Sequence, residues 1–162
     1  MSSRRDFLKY SGTTAAAFYS RDLIANILAT SPNSEVIVAG GILRRTDGAL
    51  VGDVTAEFIG QLKVDYAIIG SAAVDPDGSL LDYDFREVRV AQAILSNARQ
   101  VMLVCDSSKF ERSAPVRIGH LSQVATFVTD RCESDGIRRI CAESGVELIE
   151  ALAQTEAVQS FT

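Results

Sequence analysis

Residues 63–94, KVDYAIIGSAAVDPDGSLLDYDFREVRVAQAI, decide the fold of this chain. The run DYAII at residues 65–69 is short and mainly apolar, which is typical of a strand covered on both faces. After a loop that contains aspartate, proline and glycine, Asp84 can cap a helix that continues to about residue 98. The predicted inward positions of this helix are Val88, Ala91 and Leu95, and its predicted solvent-facing positions are Arg86, Glu87, Arg89 and Gln92.

The same alternation of strand-length apolar runs and helical segments extends in both directions. Further strands are predicted at residues 35–39 (EVIVA), 101–105 (VMLVC), 125–129 (ATFVT) and 146–149 (VELI). A further helix is predicted at residues 20–29. A second begins after Asp53, which acts as its N-cap, and its predicted inward residues are Val54, Phe58 and Leu62. A third runs from Ser134 to Gly145, which provides a left-handed C-cap. Strands that alternate with helices indicate βαβ units, so we expect an α/β fold with a doubly wound, mainly parallel sheet.

The composition is that of one globular domain without a nucleic-acid surface. The chain has 162 residues, of which 47% are hydrophobic and 23% are charged, so it can bury a core of its own. Its net charge of −5 opposes duplex binding, because that binding requires clustered lysine and arginine to displace counterions from phosphates. We therefore expect no direct DNA binding by this chain.

The cysteines and the N-terminus bear on the location of the protein. The three cysteines are Cys105, Cys132 and Cys141. They are an odd number without metal-ligand spacing, and the single histidine, His120, is far from them in sequence, so we expect reduced thiols, no metal and a cytoplasmic protein.

The run SRRDFLK at residues 3–9 resembles a twin-arginine export signal, but Arg21 and Asp22 end the apolar stretch early. An exported binding protein stays an alternative.

Candidate binding residues directly follow the predicted strands, where parallel sheets gather their ligands. They are Gly40, Gly41, Gly70, Ser71, Asp106 and Lys109. Glycines there would let backbone amides approach an anion, and a lysine supplies a mobile positive charge for phosphate. Purely structural roles stay open, with the glycines turning the chain and Lys109 solvated at the surface. Glu87 is a further candidate for a hydroxyl contact, and no nucleophile or carboxylate pair identifies a catalytic residue.

Three segments carry a family resemblance: residues 36–52 (VIVAGGILRRTDGALVG), 63–94 and 101–114 (VMLVCDSSKFERSA). Together they resemble the sensor domain of DeoR-family transcriptional repressors, and most closely its glycerol-3-phosphate branch. The resemblance covers about residues 20–150. It implies a fold related to ribose-5-phosphate isomerase and the CoA transferases, a phosphorylated sugar or polyol as effector, and a homo-oligomer.

The resemblance also divides the chain into a leader (1–19), a sensor domain (20–152) and a tail (153–162). Family members begin with a winged helix-turn-helix, for which residues 1–19 leave no room, so a fold truncated at the N-terminus is expected. Family members also carry a Gly-Thr-Thr phosphate loop. The match at residues 11–14 (SGTT) is expected to be accidental, with a deletion in the sheet as the alternative.

The predicted function is therefore effector sensing by a domain without its helix-turn-helix. No cofactor, membrane association or enzyme activity is expected. Because a fold does not fix a function, an enzyme resembling sugar-phosphate isomerases stays the alternative within this fold class.

Overall fold

The structure, a computed structural model, describes residues 15–17, 30, 32 and 35–151. The twin-arginine-like run, the Gly-Thr-Thr match, the predicted helix at residues 20–29 and the tail at 153–162 lie outside these residues.

Strands and helices alternate along the described chain. The strands are β1 (Ala15–Ala17), β2 (Ile42–Leu43), β3 (Leu50–Val51), β4 (Val64–Ile69), β5 (Ala73–Val74), β6 (Ser79–Asp82), β7 (Ala98–Val104), β8 (Val116–His120), β9 (Thr126–Thr129) and β10 (Glu147–Glu150). The helices are α1 (Asp53–Gly60), α2 (Phe85–Asn97) and α3 (Asp135–Ser144). Short 3₁₀ turns occupy Ser107–Glu111 and Leu121–Gln123.

The main sheet is parallel throughout its described strands, in the order β1-β4-β7-β9-β10. Its interior residues Ala67, Leu103 and Phe127 are fully buried, as the apolar runs predicted. The α/β prediction with a mainly parallel sheet is confirmed, and four of the predicted strands correspond to β4, β7, β9 and β10. Strand β1 lies within the predicted leader, whose boundaries stay a prediction.

Two small antiparallel sheets complete the described architecture. Strands β2 and β3 form a hairpin, and β5, β6 and β8 form a three-stranded sheet. Strand β5 begins shortly after β4 ends and packs against the 3₁₀ turn that follows β7. This second sheet therefore lies beside the carboxyl edge of the main sheet, where a ligand site is expected.

The predicted strand at residues 35–39 is wrong, because no strand is formed there. Ile37 and Val38 are 69% and 66% exposed. An apolar run becomes a strand only where a neighbouring strand pairs with its backbone, and none of the described strands pairs with this one.

Helix α1 begins one residue earlier than predicted, whereas its buried face lies one position later than predicted. Gly52 occupies the cap position and Asp53 is the first helical residue. The buried side chains are those of Thr55 and Ile59, whereas Val54 is 63% exposed. The inward assignment of Val54 is therefore wrong, because the face that packs on the core lies one position further along the helix.

The caps of α2 and α3 are as predicted. Asp84 accepts a hydrogen bond from the Arg86 amide at 2.8 Å, and Ser134 accepts one from the Ile137 amide at 3.3 Å. Helix α3 ends at Gly145, whose φ of 71° is left-handed.

The solvent-facing assignment of Glu87 in α2 is wrong, since this side chain is buried together with Val88, Val90 and Ile94. The negative charge of Glu87 can be buried because Arg44 forms an ion pair with it.

Candidate functional site

The carboxyl ends of β4, β7 and β9 meet at one edge of the parallel sheet. Gly70 and Ser71 follow β4, Asp106 follows β7 after Cys105, and Asp130 follows β9. The Cys105 amide still bonds to the Val128 carbonyl at 3.2 Å, so the ends of β7 and β9 stay in register. The residues that sequence analysis placed after separate strands are thus gathered along a common edge.

The loop that carries Lys109 is held by two aspartates. Asp106 accepts a hydrogen bond from the Ser108 amide at 3.0 Å and caps the 3₁₀ turn. Asp130 accepts bonds from the Ser107 amide at 2.7 Å and the Ser107 hydroxyl at 3.0 Å. The Ser107 amide, as the main cause, lowers the pKa of Asp130 to about 2. Both carboxylates therefore stay charged and fix the backbone around Lys109.

Lys109 is half-buried and its ammonium has a loose ionic partner. Its Nζ lies 3.8 Å from Oδ2 of Asp106, at the outer limit of an ion pair. Hydrogen bonding by Ser108 is the main cause that lowers the pKa of Asp106, and the charge of Lys109 adds to it. An ammonium held this loosely can contact an incoming anion without first breaking a tight salt bridge.

Gly70 and Ser71 are buried beside this loop. Burial raises the pKa of the Cys105 thiol to about 12, which the Ser71 hydroxyl and the Lys109 charge oppose. Ser71 and Lys109 therefore both lie near Cys105. The Ser71 hydroxyl oxygen has no hydrogen bond of ordinary geometry within the described ranges.

Gly40 and Gly41 are placed against the first turns of α1. The Thr55 hydroxyl donates a hydrogen bond to the Gly40 carbonyl at 2.7 Å. Gly41 has φ +142°, and a Cβ added there would overlap the same hydroxyl oxygen. These contacts explain the glycine at position 41, and a part for Gly40 or Gly41 in ligand binding stays a prediction.

A cluster of charges joins the β2–β3 hairpin to the start of α2. Arg44 contacts Glu87 Oε2 through Nη2 at 2.7 Å and Asp84 Oδ2 through Nη1 at 3.4 Å, and it also pairs with Asp47. Its hydrogen bond to Asp47, followed by that to Glu87, raises the pKa of Arg44 above its usual range. Sequence analysis missed Arg44, because two of its partners lie on a distant segment of the chain.

A small cavity of about 30 Å³ lies next to Gly70. Its ionisable lining residues are Asp82, at the end of β6, and Glu87. The apolar lining consists of Ala49, Leu50, Ile68, Ile69, Val90, Ala91, Ile94 and Ile118. The cavity is therefore a mainly apolar space with a carboxylate group from each of two elements.

Asp82 was also missed by sequence analysis. It is only 4% exposed. Its Oδ1 accepts a hydrogen bond from the Tyr83 amide at 2.6 Å, whereas Oδ2 has no hydrogen-bond partner in the part of the chain that the structure describes. The available signal was an aspartate directly after the apolar pair Leu80-Leu81.

Strand register places Asp82 beside the end of β4. Ala73 pairs with Leu81, and the Ala72 amide bonds to the Leu81 carbonyl at 3.0 Å. Gly70 thus lines the cavity of Asp82 and Glu87, and the next residue, Ser71, acts on the pKa of Cys105, as Lys109 does. Among the predicted candidates, the structure groups Gly70 and Ser71 with Lys109 and Asp106, and Gly70 with Glu87.

The described ranges contain no helix with the length and apolar character needed to cross a bilayer. In the same ranges, no three His, Cys, Asp or Glu side chains are arranged to hold a metal ion.

A parallel α/β domain with candidate binding groups at one sheet edge agrees with the sequence comparisons. Residues 21–131 match the family model of the DeoR C-terminal sensor domain. The chain belongs to this family.

Curated relatives include transcription regulators. The chain is 40% identical over 125 residues to the glycerol-3-phosphate regulon repressor of Escherichia coli K12, a match that covers 77% of this chain and 50% of the relative. It is 47% identical over 105 residues to the repressor of the same name in Haemophilus influenzae, covering 65% and 41%. The HTH-type transcriptional repressor CsqR of Escherichia coli K12 is 32% identical over 126 residues, covering 78% and 48%. The chain spans about half the length of these relatives.

Proposed function

We propose that this sensor domain binds a phosphorylated polyol or sugar, with glycerol-3-phosphate as the first ligand to test, and that binding controls a transcription regulator. The membership in the DeoR sensor family and the names of the relatives support this proposal. The observation that carries it is the position of Lys109 at the carboxyl edge of the sheet, loosely paired with Asp106 and carried by the 3₁₀ turn that packs against β5.

In the proposed site, the Lys109 ammonium contacts the phosphate and Asp106 positions the lysine. Gly70 and Ser71 form the floor, and the Ser71 hydroxyl offers a donor to a phosphate oxygen. Gly40 and Gly41 form the neighbouring wall. Arg44 is a poorer anion ligand than Lys109, because three carboxylates already neutralise it.

The proposal is that of a cytoplasmic, non-catalytic homo-oligomer that does not itself bind DNA. The relatives are transcription regulators, which favours sensing over turnover. One observation favours the isomerase alternative: Asp82 and Glu87 place carboxylates at the same cavity, and proton abstraction from a sugar phosphate needs such a base. Turnover of an aldose or ketose phosphate by the purified domain would support that alternative.

Calorimetric titration with glycerol-3-phosphate tests the proposal. Lys109→Ala removes a charge-assisted contact, and such a loss costs about 1.5–3 kcal/mol, or roughly a tenfold to hundredfold weaker affinity. The melting temperature without ligand should hardly change, because the ion pair with Asp106 is long.

Lys63→Ala is the matched control, since Lys63 is exposed and the substitution is the same. It should leave the affinity unchanged. Equal affinities of the parent and Lys109→Ala would remove Lys109 from the site. Absence of binding by the parent protein to glycerol-3-phosphate and other phosphorylated sugars would refute the proposed function.

A further inference from the structure

We propose that the cavity beside Gly70 is a hydroxyl-binding subsite, in which Oδ2 of Asp82 accepts a hydrogen bond from a hydroxyl group of the phosphorylated ligand. This inference rests on the proposed function and deepens it. It assigns the ligand class as a phosphate ester that carries at least one free hydroxyl on its carbon chain.

The Asp82 carboxylate is buried, and only one of its two oxygens has a hydrogen-bond partner among the described residues. The side chain is 4% exposed and lines the cavity, and its Oδ2 has no donor within the described ranges. Burial of an unsatisfied acceptor is unfavourable, so buried polar atoms nearly always have a partner. A ligand hydroxyl that enters the cavity supplies the missing donor.

The cavity is large enough for a hydroxyl group and too small for a phosphate group. A cavity of about 30 Å³ accommodates roughly one water-sized group, which fits a hydroxyl and excludes a phosphate. The carboxylates of Asp82 and Glu87 would also repel a phosphate dianion. The phosphate must therefore lie outside the cavity.

The cavity and the turn that carries Lys109 lie at the same edge of the main sheet. Gly70 lines the cavity and follows β4, which pairs with β7, and the 3₁₀ turn that carries Lys109 follows β7 and packs against β5. A short ligand that crosses the end of β4 can thus direct its phosphate towards Lys109 and a hydroxyl towards Asp82. Its carbon chain would pass the glycine, where the lack of a side chain permits close approach.

The two carboxylates of the cavity differ in their partners. Glu87 Oε2 pairs with Arg44, which joins the β2–β3 hairpin to α2, and the hairpin residues Ala49 and Leu50 form part of the cavity lining. Asp82 is paired with no cation among the described residues. Glu87 therefore holds the cavity lining in place, and Asp82 contacts the ligand.

The test compares glycerol-3-phosphate with n-propyl phosphate, which has the same phosphate and carbon chain without hydroxyls. By calorimetry, the parent protein should prefer glycerol-3-phosphate by roughly tenfold to hundredfold, the equivalent of one hydrogen bond to a charged group. Asp82→Asn keeps the oxygen that accepts from the Tyr83 amide and replaces Oδ2 by an amide NH2 group, which cannot accept. The variant should lose the preference, with its affinity for n-propyl phosphate unchanged or stronger.

Asp135→Asn is the matched control, because Asp135 is exposed on α3 and does not line the cavity. It should keep the parent preference. Equal binding of both ligands by the parent would overturn the subsite and leave the phosphate site standing, and this arm needs no variant to fold. Retention of the full preference by Asp82→Asn would also overturn the subsite. If the parent binds neither ligand, the proposed function fails and the subsite fails with it.

Discussion

Substitution of Gly41 by alanine should unfold the turn that joins residues 35–40 to the β2–β3 hairpin. The φ of +142° at Gly41 is one that residues with a side chain rarely adopt. An added Cβ would also overlap the Thr55 hydroxyl oxygen and lie 3.1 Å from the Val51 carbonyl. Because Thr55 is buried and bonded to Gly40, it cannot move aside without losing that hydrogen bond.

The expected cost combines two terms. A side chain held in a sparsely populated backbone region costs about 1–3 kcal/mol. Loss of the buried hydrogen bond between Thr55 and Gly40 costs about 1–3 kcal/mol more. The total of about 2–6 kcal/mol is a large part of the 5–15 kcal/mol typical of a domain, so the variant should be strongly destabilised.

Urea denaturation followed by circular dichroism measures this cost. Gly40→Ala is the matched control: a Cβ there meets only the Val54 side chain at 3.9 Å, which is ordinary contact. It should stay within about 0.5 kcal/mol of the parent. In a Thr55→Ala background there is no hydroxyl for the new Cβ to overlap and no hydrogen bond to Gly40 to lose. Gly41→Ala should then cost only the free energy of holding a side chain at this φ. A Gly41→Ala protein as stable as Gly40→Ala would refute the reasoning.

Two further predictions concern acid and nucleic acid. The pKa values of Asp84 and Asp130 are held at about 2, mainly by the Arg86 side chain and the Ser107 amide respectively, against 3.8 for an unperturbed aspartate. Since these pKa values are lowered in the folded state, the two carboxylates stabilise the fold above about pH 4, and this stabilisation is lost as the pH falls towards 2. The urea concentration at the midpoint of unfolding should therefore decrease between pH 5 and pH 2. The decrease should be smaller in Asp130→Asn, which lacks one of the two carboxylates. The net charge of −5 predicts that gel-shift assays at physiological salt show no submicromolar binding of this chain to operator-like duplexes, and such binding would contradict the charge argument.

The parallel sheet and two helices were predictable because their signals are local. The runs that became β4, β7 and β9 hold the fully buried Ala67, Leu103 and Phe127, because these strands are paired on both sides, whereas β10, at the end of the described strand order, is mostly exposed. Helix α3 is bounded by a serine cap and a left-handed glycine, both of which act within one turn of the helix.

The predictions were wrong where contacts between distant segments determine the secondary structure or the buried face. The run EVIVA has strand composition, but its exposed Ile37 and Val38 show that composition without a pairing partner does not make a strand. In α1, Val54 was predicted to be buried, but Thr55 is buried instead and Val54 is exposed. Residues 54 and 58 and residues 55 and 59 both have a spacing of four, so the pattern alone does not distinguish the two faces. The strands β5, β6 and β8 were not predicted, and their register depends on contacts between segments far apart in the chain.

Some residues of the candidate site could be predicted from the sequence, and others depend on contacts between distant segments. Gly70, Ser71, Asp106 and Lys109 could be proposed from sequence because one rule, that ligands gather after parallel strands, needs only the strand positions.

Asp82 required the structure. Glu87 was already a candidate from the sequence, but its burial required the structure, since the amphipathic pattern of α2 assigns this glutamate to solvent. It is buried here because Arg44 arrives from another segment and compensates its charge. Asp82 has no such cation among the described residues, and the register of β5 with β6 brings it to the cavity by Gly70. Because a buried acceptor without a donor is unfavourable, Oδ2 of Asp82 is the atom of this cavity at which a ligand hydroxyl gains most by binding.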